Sequence, residues 1–132
     1  MFFRVPFLVQ LFFKRRTWRG DDSNAVYLTF DDGPDIETTP WVLDLLKREN
    51  IKATFFCIGR NIENHPSLFK EILNNGHAIG NHTYKHEKGT KTKKTAYLES
   101  VRKTETLHSS TLFRPPYGRI NIFQVDQLLS MG

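Results

Sequence analysis

The feature that most constrains this chain is its regular alternation of strand-like and helix-like runs. AVYLTF (25–30) reads as a strand, TTPWVLDLLKREN (38–50) as a helix with a Thr cap and a proline near its start, and ATFFCIG (53–59) as a second strand. The pattern then repeats. HPSLFKEILNNG (65–76) reads as a helix, with Leu68, Phe69, Ile72 and Leu73 at helical spacing and a stop at Asn75-Gly76, and HAIGN (77–81) reads as a short strand. A third helix is expected from Thr95 to His108, a fourth strand at TLFR (111–114), and a fourth helix from Asn121 onward. Successive β/α units with no hairpin signal require parallel strands joined by right-handed crossovers, which sets the class as α/β. Four strands fit either an open doubly wound sheet or the first half of a barrel. No Gly-x-Gly-x-x-Gly follows the first strand, which disfavours a dinucleotide-binding sheet. Nothing in the sequence follows the last helix to pair the fourth strand, so the chain is expected to be a fragment or a truncated product.

Composition narrows the partners. At 132 residues, 39% hydrophobic and 25% charged, the chain has the make-up of one globular domain. Its formal charge of +5 comes from 19 Lys and Arg against 14 Asp and Glu. The basic residues cluster at Lys14–Arg19 and Lys85–Lys94 with no nucleic-acid motif around them, so a solvated surface is expected and no nucleic-acid partner. A single cysteine, Cys57, excludes an internal disulfide, and any metal must be held by His and carboxylates.

The opening MFFRVPFLVQLFFKRR is the one membrane-directed stretch. Its apolar part ends at Phe13, short of the roughly 20 residues a spanning helix needs, and its charges follow the apolar run, unlike a cleaved signal. Residues 1–20 are therefore set apart as an apolar and basic segment from a domain at 21–132. An apolar flap over that domain is the preferred reading, with membrane contact through residues 1–16 as the other. The compartment stays open.

The chemistry gathers at strand ends. Asp31 and Asp32 follow the first strand in TFDDGP, where adjacent carboxylates are either ordinary Asp-Gly-Pro turn chemistry or a ligand beside a proton acceptor. His82 and His86 follow the third strand in HTYKH, at a spacing that lets two imidazoles share an ion from a helical turn or a tight loop. Two histidines and one carboxylate make a facial ligand set suited to zinc, iron or cobalt. RPPYG (114–118) follows the fourth strand, and by itself could be no more than a rigid turn. His65 reads as a helix-start residue, His77 as a satisfied core histidine and His108 as a solvated helix residue, none with a role.

TFDDGP, HTYKH and RPPYG, in that order, resemble the first three motifs of the polysaccharide deacetylase family, the NodB-homology or carbohydrate esterase family 4 domain. The resemblance covers about residues 25 to 120. It implies the N-terminal part of an irregular (β/α)7 barrel and metal-dependent hydrolysis of N-acetyl, or O-acetyl, groups on polymers such as peptidoglycan or chitin oligomers. It implies Asp32, His82 and His86 as ligands of a divalent metal, zinc foremost with cobalt or iron as alternatives. It implies Asp31 as the general base, Arg114 as its partner, and the Tyr117 backbone N–H as a donor to the oxyanion.

The family pattern continues with a fourth motif containing Asp and Trp and a fifth in which a His two positions after a Leu is the general acid. Neither occurs in these 132 residues. Proton donation to a leaving group is worth about 10²- to 10⁴-fold in rate, so slow or absent turnover is expected. The alternative is a catalytically impaired fragment that binds metal and carbohydrate. A basic nucleic-acid or membrane-surface binder is favoured by net charge alone.

Overall fold

The computed structural model describes residues 5–20, 22 and 24–131. Its framework is a parallel sheet of three strands in sequence order: β1 (Thr29–Asp31), β2 (Thr54–Cys57) and β3 (Ala78–Asn81). The register sets Phe30 beside Phe55 and Phe56 beside Gly80. A Cβ on Gly80 would lie 2.3 Å from the Phe56 ring, so the pairing depends on a residue with no side chain.

Helices supply the crossovers. α2 (Thr39–Arg48) follows β1, α3 (Gly59–Asn64) and α4 (Pro66–Asn74) follow β2, and α5 (Lys94–Glu105) follows β3. Leu43 and Leu46 of α2, Ile62 of α3, and Phe69 and Ile72 of α4 bury against Phe55 and Cys57 of β2 and Ile79 of β3. The apolar spacing of each helix thus faces a sheet that is itself apolar, as parallel sheets covered by helices require. Burial pushes the Cys57 thiol up to about 12, which leaves it inert.

Several expectations are corrected. The first strand begins at Thr29, not at Ala25: pairing starts where Leu28 accepts the Thr54 N–H at 3.0 Å, and Val26 and Tyr27 lie exposed on an unpaired edge. The fourth strand at 111–114 is a single parallel bridge between Asn81 and Phe113. It extends no further because β3 ends at Asn81 and Pro115 and Pro116 have no N–H to offer. Sequence reading missed α3, whose six residues are too few to show a period; His65, before Pro66, breaks it from α4. Thr38 gives α2 no side-chain cap; Asp35 instead accepts from the backbone N–H groups of Glu37 and Thr38.

Helix α5 ends at Glu105, and His108, expected to be solvated, is half-buried edge-on to Phe69 at 5.5 Å between ring centres. α6 (Ile122–Leu129) starts at Asn121 with reciprocal bonds between Asn121 and Gln124. The flap is also corrected. α1 (Phe7–Phe12) buries none of its residues, Phe7 and Phe12 are exposed, and the segment meets the domain where Arg15 pairs with Asp126. Residues 1–4 of that segment lie outside the described residues. No described helix is long and apolar enough to cross a membrane.

His77 is buried beside Phe55 and accepts the Ala53 N–H on Nδ1 at 3.3 Å, while its Nε2 has no partner. Its expected satisfaction is therefore only half met. Burial, helped by Lys52, lowers its pKa below the ordinary histidine value. The folded state thus favours the neutral ring, and stability is present above the unfolded pKa of about 6.5 and falls as pH drops through the folded value. Urea midpoints measured from pH 7 to pH 5 are expected to decline, with a shallower slope in His77→Phe whatever its baseline. In the core, Ile72→Ala is expected to cost roughly 2–5 kcal/mol in the same urea titration, since Ile72 is wholly buried.

Candidate metal centre

Parallel strands deliver their carboxyl ends to one rim, and this is where the reactive side chains stand. Asp31 ends β1, His82 directly follows β3, and Arg114 follows the bridge to Asn81. Asp31, Asp32, His82, His86, Arg114 and Tyr117 line one cavity of about 410 Å³.

The local backbone is unusual there. Five described non-glycine residues have positive φ, and four of them, Asp32 (70°), Thr83 (64°), His86 (61°) and Tyr117 (60°), belong to the three motifs. Left-handed conformations are costly for a β-branched Thr or an aromatic Tyr, and such strain concentrates where a site over-determines it. The four-residue spacing of the histidines is realised by a tight loop and not by a helical turn.

His82 is oriented by a single bond. Its Nδ1 lies 2.7 Å from the Arg114 carbonyl oxygen, which can only accept, so Nδ1 carries the hydrogen and Nε2 presents a lone pair. That Nε2 lies 3.4 Å from Asp32 Oδ1, and His86 Nε2 lies 3.1 Å from the same oxygen. The ligand atoms of Asp32, His82 and His86 all fall within 4.8 Å of one another. Burial lowers the His82 pKa, although the bond to Arg114 and the charges of Asp31 and Asp32 oppose it, so the neutral ring that a metal requires is favoured. An imidazole lone pair aimed at a carboxylate oxygen is an arrangement that a cation between them would satisfy. The three residues fit a divalent ion.

Beside this trio, Arg114 Nη1 donates to Asp31 Oδ1 at 2.7 Å and to Thr29 Oγ1 at 2.9 Å, with its guanidinium 4.0 Å above the Phe56 ring. The pair is half-exposed, so it adds little to stability. The Tyr117 ring packs on His86 at 4.6 Å between centroids.

Sequence reading missed the residues that brace this site. Asn81 is buried; its Oδ1 accepts the Thr83 N–H at 2.9 Å while its amide donates to Val101 O and Glu105. Its position directly before His82 was the one available signal. Asn81→Leu would leave the buried Thr83 N–H without an acceptor and is expected to cost about 1–3 kcal/mol in thermal or urea unfolding.

The sequence profile of the polysaccharide deacetylase family matches residues 19–132, and the chain belongs to this family. It is 48% identical over 101 residues to a peptidoglycan-N-acetylglucosamine deacetylase of Bacillus cereus, covering 72% of this chain and 37% of that protein. It is 42% identical over 105 residues to the peptidoglycan-N-acetylglucosamine deacetylase PgdA of Listeria monocytogenes, covering 75% and 22%. The solved structure of the Bc1960 peptidoglycan N-acetylglucosamine deacetylase, in complex with 4-naphthalen-1-yl-N-oxidanyl-benzamide, superposes with a TM-score of 0.78 at 43% identity, covering 80% of this chain and 52% of that one. The three parallel strands and their helices therefore match part of a deacetylase domain, and the chain spans about half or less of these relatives.

Proposed function

We propose that the chain serves the metal-dependent hydrolysis of acetyl groups from carbohydrate polymers, N-acetyl first and O-acetyl by the same geometry. The observation that carries this is Asp32 Oδ1, set 3.4 Å from His82 Nε2 and 3.1 Å from His86 Nε2, beside an Asp31 already paired with Arg114. The likeness to peptidoglycan deacetylases supports peptidoglycan as the substrate, with chitin oligomers offering the same acetyl group. Residues 21–132 form the deacetylase unit. Residues 1–16 are assigned to contact with a membrane surface, which the exposed apolar side chains of α1 beside Lys14, Arg15 and Arg16 support.

Asp32, His82 and His86 are assigned as the ligands, and their nitrogen and oxygen donors suit zinc, then cobalt or iron. A bound ion of this kind supplies Lewis acidity, which polarises an acetyl carbonyl and acidifies water. Asp31 is the general base. With Oδ1 engaged by Arg114, its second oxygen is the one that takes the proton of the attacking water. The Tyr117 backbone N–H is the donor to the tetrahedral oxyanion, a type of contact whose removal costs about 3 kcal/mol.

One observation favours a second reading, a module that binds metal and carbohydrate without turnover. Of the five histidines, only His82 and His86 line the cavity among the described residues, and both are assigned to the ion. Within these 132 residues no further imidazole lines the cavity to protonate the departing amine. Zinc titration and acetate release from N-acetylated chitooligosaccharides separate the readings. Zinc binding that Asp32→Ala abolishes, with acetate release reduced about 10²- to 10⁴-fold by Asp31→Asn, is the expected result for hydrolysis. Zinc binding with no acetate release in the unaltered chain establishes the second reading, and failure to bind zinc ends both.

A further inference from the structure

The loop that carries both imidazoles is strained, and its shape is imposed from one side by α5. Tyr84, midway between His82 and His86, donates its backbone N–H to Ser100 Oγ at 2.8 Å. The Ser100 hydroxyl in turn donates to Glu87 Oε2 at 2.7 Å. The same carboxylate oxygen accepts the Lys85 N–H at 3.0 Å, and the Glu87 N–H donates to Thr83 Oγ1 at 3.1 Å. A closed set of bonds thus joins the segment between the histidines, the residue just after them and the middle of a helix.

Each participant is placed at a cost that packing alone does not explain. Ser100 is buried in the interior of α5, where an alanine would be the better helix former. Glu87 is half-buried, and one of its carboxylate oxygens is held by both the Ser100 hydroxyl and the Lys85 N–H. Thr83 and His86 hold left-handed backbones on either side of the Tyr84–Lys85 pair. Without an external brace, those two residues would relax toward common backbone regions and carry the His86 ring away from Asp32.

We propose that Glu87 and Ser100 are positioning residues that lock the His82–His86 loop into its ligand-competent shape by hydrogen bonding. This rests on the assignment of Asp32, His82 and His86 as metal ligands. Partners one shell beyond metal ligands typically contribute 10- to 100-fold in metal affinity, and that is the scale expected here.

The test is competitive zinc titration of the full 132-residue chain, with cobalt(II) absorption as a report on ligand geometry. Ser100→Ala and Glu87→Asp, the latter drawing the carboxylate back by one methylene, are each expected to weaken zinc binding about 10- to 100-fold and to alter the cobalt spectrum. Glu87→Gln keeps an acceptor oxygen without the charge and is expected to stay within about threefold of the unaltered chain. If Ser100→Ala fails to retain its helical circular dichroism, Glu87→Asp alone decides. Unaltered zinc affinity in Ser100→Ala and Glu87→Asp, with binding abolished in His82→Ala, overturns the positioning role while leaving the metal assignment standing. A loss in Glu87→Gln as large as in Glu87→Asp also overturns it, because nearby charge and not hydrogen bonding would then be responsible. Zinc affinity unaffected by His82→Ala brings down the metal assignment itself.

Discussion

Parallel pairing of β1, β2 and β3 is the constraint on which the remaining structure depends. Because the strands run the same way, Asp31, His82 and the bridge leading to Arg114 reach one rim, although they are separated by some fifty residues and then thirty more in the chain. A shift by one residue in β3 would turn His82 to the opposite face and carry Gly80 away from the Phe56 ring, where only glycine fits. Register and site geometry are therefore one fact. The hydrogen bond from His82 Nδ1 to Arg114 O adds a cross-link between the third strand end and the fourth segment, and it fixes which nitrogen is free.

The stability of this arrangement is unevenly distributed. One side of the sheet is well covered by α2, α3 and α4, whose apolar side chains meet the buried faces of β2 and β3. The β1 side is thinner: Leu28 and Trp41 are left partly or largely exposed beside the unpaired edge of the sheet. Among the described residues no strand pairs with the outer edge of β1, whereas β3 meets the bridge at Phe113. The site itself faces the well-braced region, through α5 and the first turn of α3, where Gly59 and Arg60 donate to the Thr83 and Tyr84 carbonyl oxygens.

Legibility followed the length scale of each interaction. α2 and α4 were readable because amphipathic spacing is a local property: Leu43 with Leu46, and Phe69 with Ile72, fall on one face of any helix built from those residues. The six motif residues were readable because they are short runs next to strand ends. The three-residue β1, the six-residue α3 and the reduction of TLFR to one bridge were not, since each depends on which neighbour supplies a hydrogen bond. Ser100 gave no local signal for the same reason, since its partners Tyr84 and Glu87 meet it only after the chain has folded back.

The amino-acid sequence by itself determined the α/β class, the order of the three motifs and the kinds of donor atoms available, because periodicity and residue chemistry are written into adjacent positions. Only the tertiary structure decided which His82 nitrogen is free, that His86 adopts a left-handed backbone, that Arg114 reaches Thr29 as well as Asp31, and that the apolar side chains of α1 are left uncovered. Those outcomes belong to contacts between segments far apart in the chain. Hydrogen-bond direction and burial are fixed only when both partners are in place.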